Sequence, residues 1–428
     1  MPVILPESGM SQLSILDDLI VHGMDLVCHG ADKADVQDSF PGLNVTAFNG
    51  GPLTPSRDDL PALAQEIDVT GEVVLVRDED RVWGWDAYIT ALGLMGASSI
   101  RLVGQSGETI VTPPSRPDMD TARSMLLLVN GGIGNVVQTT PLLTAAHRHG
   151  LDIAFCPTFD SGGSLARLFE DTLPGMTLLT PDEVDDFRAD IRINIESRQH
   201  IRPGDLFHSP FRVPVDSSEI LAYLQFFFNA TGIQAAPEDA FIGCRDTELA
   251  DHLKGRIILA PGSKPHWDSK RWPHFSALAG QLDNPIILCR DSDVAAHADL
   301  DFLTPLHASN ATVIADATLA EAAAMLHHAR GVIANDCGLA HMAAAAGAPT
   351  IALFGPTSLE KNRPQCHNAA SLSLCLDCQP CQGKENGPDY LLGAGRYGCS
   401  RNYRCMDQLT VDQVLAKANS FFTAKVGS

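Results

Sequence analysis

Residues 331–354 read GVIANDCGLAHMAAAAGAPTIALF, and no other stretch constrains the fold as tightly. Residues 331–334 form a short apolar run without polar alternation, so a strand there must be covered on both faces. The Ala-rich run 338–346 has the length and propensity of a helix, and 350–354 is a second apolar strand. Strand, helix and strand in this order make the crossover unit of a parallel sheet. The same alternation fills the part of the chain that begins near Gly255. Strands are expected at 256–260, 285–289 and 312–314, a helix at 319–330, and a last amphipathic helix at 410–423.

Two blocks precede this one. The middle block opens with a strand at 125–129, and further strands are expected at 152–155, 176–179 and 190–195. A helix over 219–229, capped by Ser217 or Ser218, carries Phe226, Phe227 and Phe228. Without basic neighbours, these aromatics read as core rather than as a stacking surface. The first block, residues 1–118, alternates strands (26–29, 45–48, 72–76, 99–103) with helices (58–66, 85–94). It holds no phosphate loop and no acid–base constellation. Residues 112–119, TPPSRPDM, read as a linker. At 428 residues the chain is long for one core. The expected class is α/β: a small extra N-terminal domain over 1–118, then Rossmann-like domains over 124–250 and 251–428 with a cleft between them.

Charge narrows the partners. With 52 acidic against 30 basic residues the formal net charge is -22, which argues against a nucleic-acid footprint or an anionic membrane surface. The N-terminus has no basic leader and carries Glu7, Asp17 and Asp18. No apolar run reaches the ~18–20 residues of a membrane span, so the expected compartment is the cytoplasm. There, 11 cysteines are not expected to form disulfides.

Three motifs carry chemistry. In the first, the strand at 125–129 stops at Gly131-Gly132-Ile133-Gly134, followed by Asn135 and a helical pattern. Such glycines let backbone approach a ligand, and the helix start offers free N–H groups to an anion; a tight strand–helix turn without ligand would look the same. In the second, Asn335 and Asp336 stand at a strand's C-terminal end, where open α/β sheets bind ligands. Gly338 and Leu339 begin the helix and His341 lies one turn in. Asp336 as a simple N-cap and His341 as a core histidine are the plainer readings. In the third, APGSKPHWDSKRWP, Ser263 is followed by Lys264, Lys270 and Arg271, a cluster suited to neutralising a leaving phosphate or to lying solvated in a loop.

Taken together and in this order, the motifs resemble glycosyltransferase family 9, the ADP-heptose heptosyltransferases. GGIGNVVQTTPLL looks like the family's GGIGDVVLTTPLL. NDCGLAHMAAAAGAPTIALFGPT looks like NDSGLMHLAAALGTPTVALFGPT, and KRWP occurs in both. The resemblance runs from about Ser124 to the C-terminus and leaves 1–118 uncovered. It implies a GT-B fold and inverting transfer of a sugar from an ADP-heptose-like nucleotide to a glycan or protein hydroxyl, with no catalytic metal. It further implies that Lys270 meets the donor phosphates and that Ser263, Asp336, Gly338, Leu339 and His341 line the donor site. The family's general base follows GGIG as an aspartate; here the position is Asn135, which can orient an acceptor but cannot take its proton. Asp160, in the loop 158–163, is the first candidate to replace it. A protein that binds a sugar nucleotide without efficient turnover is the alternative.

Five cysteines fall between 375 and 405, at spacings that let thiolates share one metal. The family's chains often end in a similar C-x-P-C…C…C-M stretch, which favours Cys378, Cys381, Cys399 and Cys405 as ligands and leaves Cys375 spare. Tetrahedral sulfur suits zinc or iron, in a structural site. An extra N-terminal segment together with such cysteines also resembles the autotransporter heptosyltransferases, which implies a protein acceptor and a homo-oligomer.

Overall fold

A computed structural model describes residues 2–4, 25–29, 44–48, 70–76, 85–104, 107–159, 163–209, 213, 215–263, 267–289, 310–315, 317–382, 399 and 401–426. The chain builds three sheets in succession. The first contains β1 (Pro2–Ile4), β2 (Asp25–His29), β3 (Asn44–Phe48), β4 (Gly71–Val76), β5 (Ala97–Gly104) and β6 (Gly107–Val111), in the order β3-β2-β1-β4-β5-β6. β5 and β6 pair antiparallel; the other pairings are parallel. The second contains β7 (Ser124–Val129), β8 (Asp152–Pro157), β9 (Thr177–Leu178), β10 (Ile191–Ile195) and β11 (Leu206–His208), in the order β11-β10-β7-β8-β9. The third contains β12 (Ile257–Ala260), β13 (Ile286–Leu288), β14 (Thr312–Ile314), β15 (Gly331–Asn335), β16 (Thr350–Leu353) and β17 (Ala369–Leu372), in the order β14-β13-β12-β15-β16-β17.

In each sheet the first strand lies inside, flanked by the second and the fourth. That is the doubly wound order, in which the chain reverses direction across the sheet beside its first strand. The first block is therefore built like the other two, with an antiparallel edge added. The expected helix at 58–66 lies outside the described residues. The linker segment 112–118 is irregular, but Pro113 and Pro114 are buried and pack against Gly93 of helix α1 (Trp85–Leu94).

Long helices cover the sheets: α2 (Ile133–Arg148), α3 (Glu219–Thr231), α4 (Leu319–His327), α5 (Gly338–Ala345) and α6 (Val411–Val426). α3 starts where expected because the Ser218 side chain accepts from Leu221 N, and it stops at Gly232, whose φ of 74° suits only a residue without Cβ. Phe226 and Phe227 are fully buried in the core, whereas Phe228 is 41% exposed. α4 ends earlier than the expected residue 330, at His327, though its start carries a full capping box between Thr318 and Glu321.

One apolar cluster runs from the middle sheet into the third, joining Leu127, Val136 and Phe155 to Ile258, Val332 and Met342. A second, between the third sheet and α6, centres on Trp272, whose Nε1 donates to the Leu409 carbonyl at 2.7 Å. Among the described residues no helix is long and apolar enough to cross a membrane.

Candidate functional site

Two helix N-termini meet where the middle and third sheets adjoin. α2 begins just past the C-terminal end of β7, and α5 just past that of β15. A Cβ on Gly134 would stand 2.9 Å from His341 Cδ2, and one on Gly338 would stand 2.9 Å from Ile133 Cβ. The two first turns can approach only because these positions are glycine. Gly131 is similarly tight against Asn135, at 2.9 Å from its Cβ, and Gly132 is the N-cap of α2. Neither helix has a side-chain cap. Their leading N–H groups and positive dipole ends are thus offered to an anion.

The third-sheet side of this junction is a buried polar network. Asp336 Oδ2 accepts from Lys270 Nζ at 2.8 Å and from the Thr357 hydroxyl at 2.6 Å. Lys270 Nζ also lies 4.4 Å from the centroid of the Trp267 ring. Asn335 fixes the loop that carries the lysine: its Oδ1 accepts from Trp272 N at 3.0 Å and its Nδ2 donates to the Pro261 carbonyl at 2.7 Å. Ser263 Oγ accepts from Arg271 Nε at 3.0 Å. Lys270 and Arg271 are 7% and 3% exposed, so they are built into the site rather than solvated. Lys264 lies outside the described residues.

Asp336 is not the helix cap that its position suggested. The N-cap is Cys337, and the carboxylate is turned to Lys270 and Thr357 instead. His341 is buried beside Gly134, and burial pushes its imidazole down to about 4, with Asp336 opposing and Lys270 adding to the effect. It is neutral at pH 7. Leu339 occupies the first turn of α5 beside it.

The middle-sheet side holds a group the sequence did not reveal. Asn135 Nδ2 donates to Glu219 Oε1 at 2.6 Å, and the Tyr223 hydroxyl donates to the same oxygen at 2.8 Å. Glu219 is 5% exposed. Burial raises its carboxyl above the usual range, and the Lys361 ammonium, Tyr223 and Asn135 pull it back. Positions 135 and 219 are 84 residues apart. Only Glu219's place in the first turn of a capped helix was visible, and acids are ordinary there. Asp160 lies outside the described residues. Lys361 itself ties the third sheet's segment to the middle block: Nζ donates to the Val213 carbonyl at 2.8 Å, and Ser358 Oγ donates to that of Val215.

Away from this junction, Cys378, Cys381, Cys399 and Cys405 line one small cavity with Pro356 and Tyr403. Burial and the neighbouring Cys381, Cys399 and Cys378 push the Cys405 thiol up to about 12. Cys375 is exposed and does not line the cavity. Among the described residues, the group that brings three ligand atoms within 4.8 Å of one another is Asp246, Asp251 and His328, not the cysteines. Lys254 already pairs with Asp251 at 2.6 Å, so this surface cluster is an ion-pair network.

Residues 190–390 match the family model of glycosyltransferase family 9 (heptosyltransferase). Over 150 residues the chain is 27% identical to lipopolysaccharide heptosyltransferase 2 of Salmonella typhimurium, covering 33% of this chain and 42% of that protein. Over 140 residues it is 39% identical to lipopolysaccharide heptosyltransferase 1 of Pseudomonas aeruginosa, covering 32% and 39%. The chain thus spans roughly two fifths of the length of these curated relatives. The solved structure of ADP-heptose lps heptosyltransferase II from E. coli matches with a TM-score of 0.51 at 16% identity, over 71% of this chain and 99% of that one. That likeness is one of fold, and the fold is GT-B.

Proposed function

We propose that this heptosyltransferase-like protein of glycosyltransferase family 9 transfers a sugar from a nucleoside diphosphate to a hydroxyl of a glycan or protein, inverting the anomeric centre. A heptose carried on ADP is the donor that best fits, since the E. coli protein of like fold is an ADP-heptose heptosyltransferase by name. The observation that carries the reading is the Lys270–Asp336 pair, 2.8 Å apart at the uncapped start of α5 and facing the start of α2. A departing diphosphate needs its charge neutralised, and an ammonium together with free helix N–H groups supplies that without reorganisation. Asp336 holds the ammonium in place, and the neutral His341 can hydrogen-bond the donor without adding charge.

Titrating the protein with ADP-heptose by calorimetry tests this. Binding is expected, and Lys270→Ala should weaken it at least about tenfold, as loss of a charge-assisted contact does. If no nucleotide sugar binds, the reading fails. Asn135 favours a second reading, a sugar-nucleotide-binding protein without turnover. Binding of ADP-heptose with no transfer and no ADP release would establish it.

The cysteine cavity supports a structural metal. Cys378, Cys381, Cys399 and Cys405 line one small cavity, and drawn together they would supply the all-sulfur donor set that zinc or iron takes. Four thiolate ligands would leave no open position, so a metal held there would serve to cross-link the segment 378–405.

A further inference from the structure

A hydroxyl acceptor must lose its proton during transfer, and Asn135 has no basicity with which to take it. A carboxylate lies beside that amide. Glu219 opens α3, and Oε1 receives both hydrogen bonds, from Asn135 and from Tyr223. Among the described residues Oε2 accepts none. The site is at the same end of the molecule as the donor network. Gly134, next to Asn135, touches His341, and Asp336 acts on the charge of Glu219 directly.

We propose that Glu219, held by Asn135 and Tyr223, accepts the proton of the acceptor hydroxyl. This rests on the transferase reading. The acceptor oxygen forms its bond to C1 of the sugar as the bond from C1 to the diphosphate oxygen breaks. The electron pair of the broken bond leaves with the nucleoside diphosphate, against Lys270. The acceptor's proton passes to Oε2 of Glu219 and then to solvent, so the carboxylate is regenerated.

A purely structural role for Glu219 needs only an acceptor oxygen, which glutamine also offers. A proton acceptor needs the carboxylate, with a proton affinity tuned toward the working pH. Four groups around it set that affinity: Lys361 from the third-sheet side, Tyr223 from its own helix, Asn135 from α2 and Asp336 from the end of β15. Burial raises it; Lys361, Tyr223 and Asn135 lower it; Asp336 raises it.

The test uses the full chain with ADP-heptose as donor and a core oligosaccharide, a serine-rich peptide or water as acceptor. ADP release is measured from pH 4 to 9, and donor affinity by calorimetry. For Glu219→Gln we expect ADP release to fall roughly 10²–10⁴-fold and donor affinity to hold within about twofold. We also expect the acidic limb of the rate profile to vanish. Asp160→Asn should keep that limb. A Glu219→Gln protein that retains most of its rate overturns the proposal, as does loss of the limb in Asp160→Asn instead. Wild-type protein that binds ADP-heptose but releases no ADP with any acceptor also overturns it. Failure to bind ADP-heptose at all is a different result and removes the transferase reading itself. Should Glu219→Gln not fold, Tyr223→Phe gives the answer. Removing the hydroxyl that stabilises the charged carboxylate must shift the limb to higher pH, and an unmoved limb refutes the assignment.

Discussion

An aspartate at position 135 would set a second carboxyl where Asn135 Nδ2 now lies 2.6 Å from Glu219 Oε1. Two buried carboxyls that close cannot both ionise, so they would share a proton and the pair would titrate at raised pH. The amide instead donates to Glu219 and stabilises its charged form. The residue that looks like a loss, when set beside the family's aspartate, thus joins Lys361 and Tyr223 in favouring the charged form of the neighbouring glutamate. Asn135→Asp is expected to move the acidic limb of ADP release upward by about one unit or more. A pH–rate profile from ADP-heptose checks it; a limb that stays or moves down means the two carboxyls are not coupled. His341 shows how a single residue type can mislead. Its sequence position fitted either a core histidine or a ligand contact, and it is buried against Gly134 while standing beside Asp336 and Lys270.

Among the elements, those with continuous apolar runs were readable almost to the residue. β15 (Gly331–Asn335), α5 (Gly338–Ala345) and β16 (Thr350–Leu353) fall within one residue of expectation, because both faces of each strand are buried and periodicity has nothing to compete with. β17 was not readable: Ala369–Leu372 is half-buried throughout, and two alanines and a serine carry little strand preference. β11 was missed for another reason. It is three residues long and ends on His208, a fully buried imidazole stacked on Phe226. That Lys270, Asp336 and the start of α5 come together was legible because these residues cluster in sequence at strand ends. The Glu219 half was not, because a contact across 84 residues leaves no local trace. Cys378, Cys381, Cys399 and Cys405, singled out by their spacing, share one cavity. Cys405 sits just inside Arg404–Asp407, beside Met406 in the core under α6. Cys405→Ser, or treatment with a strong chelator, should lower the thermal midpoint by several degrees, since a structural metal contributes folding energy outright. Affinity for ADP-heptose should be unchanged. A midpoint that does not move in either case removes the metal.

Across the whole molecule, three sheets of one strand order are joined by contacts that make pH a global variable. The first sheet docks through α1, where Phe207 N of the edge strand β11 donates to the buried Thr90 hydroxyl at 3.0 Å. The middle and third units are held by Lys361 and Ser358 on the carbonyls of Val213 and Val215. Two imidazoles are sealed in this framework. Burial pushes His208 down to about 3, with Lys361 adding to it, and His341 down to about 4. Unfolded, each binds a proton near its ordinary value of 6.5. Below that pH the unfolded chain therefore holds more protons than the folded one, and stability falls as pH falls. The loss starts near pH 6.5 and runs through about 4 for His341 and about 3 for His208. Glu219 and Asp86 work in the opposite sense, since their raised carboxyls take up protons on folding, and they offset part of the loss. The net expectation is a protein that loses stability as the pH falls from 6.5 to 4. Denaturant unfolding at several pH values measures it. His208→Phe, which keeps the stacking on Phe226, should flatten the slope without moving the neutral-pH midpoint by much. A slope equal to that of wild type would mean that His208 charges within the folded protein, which its sealed position at the end of β11 does not allow.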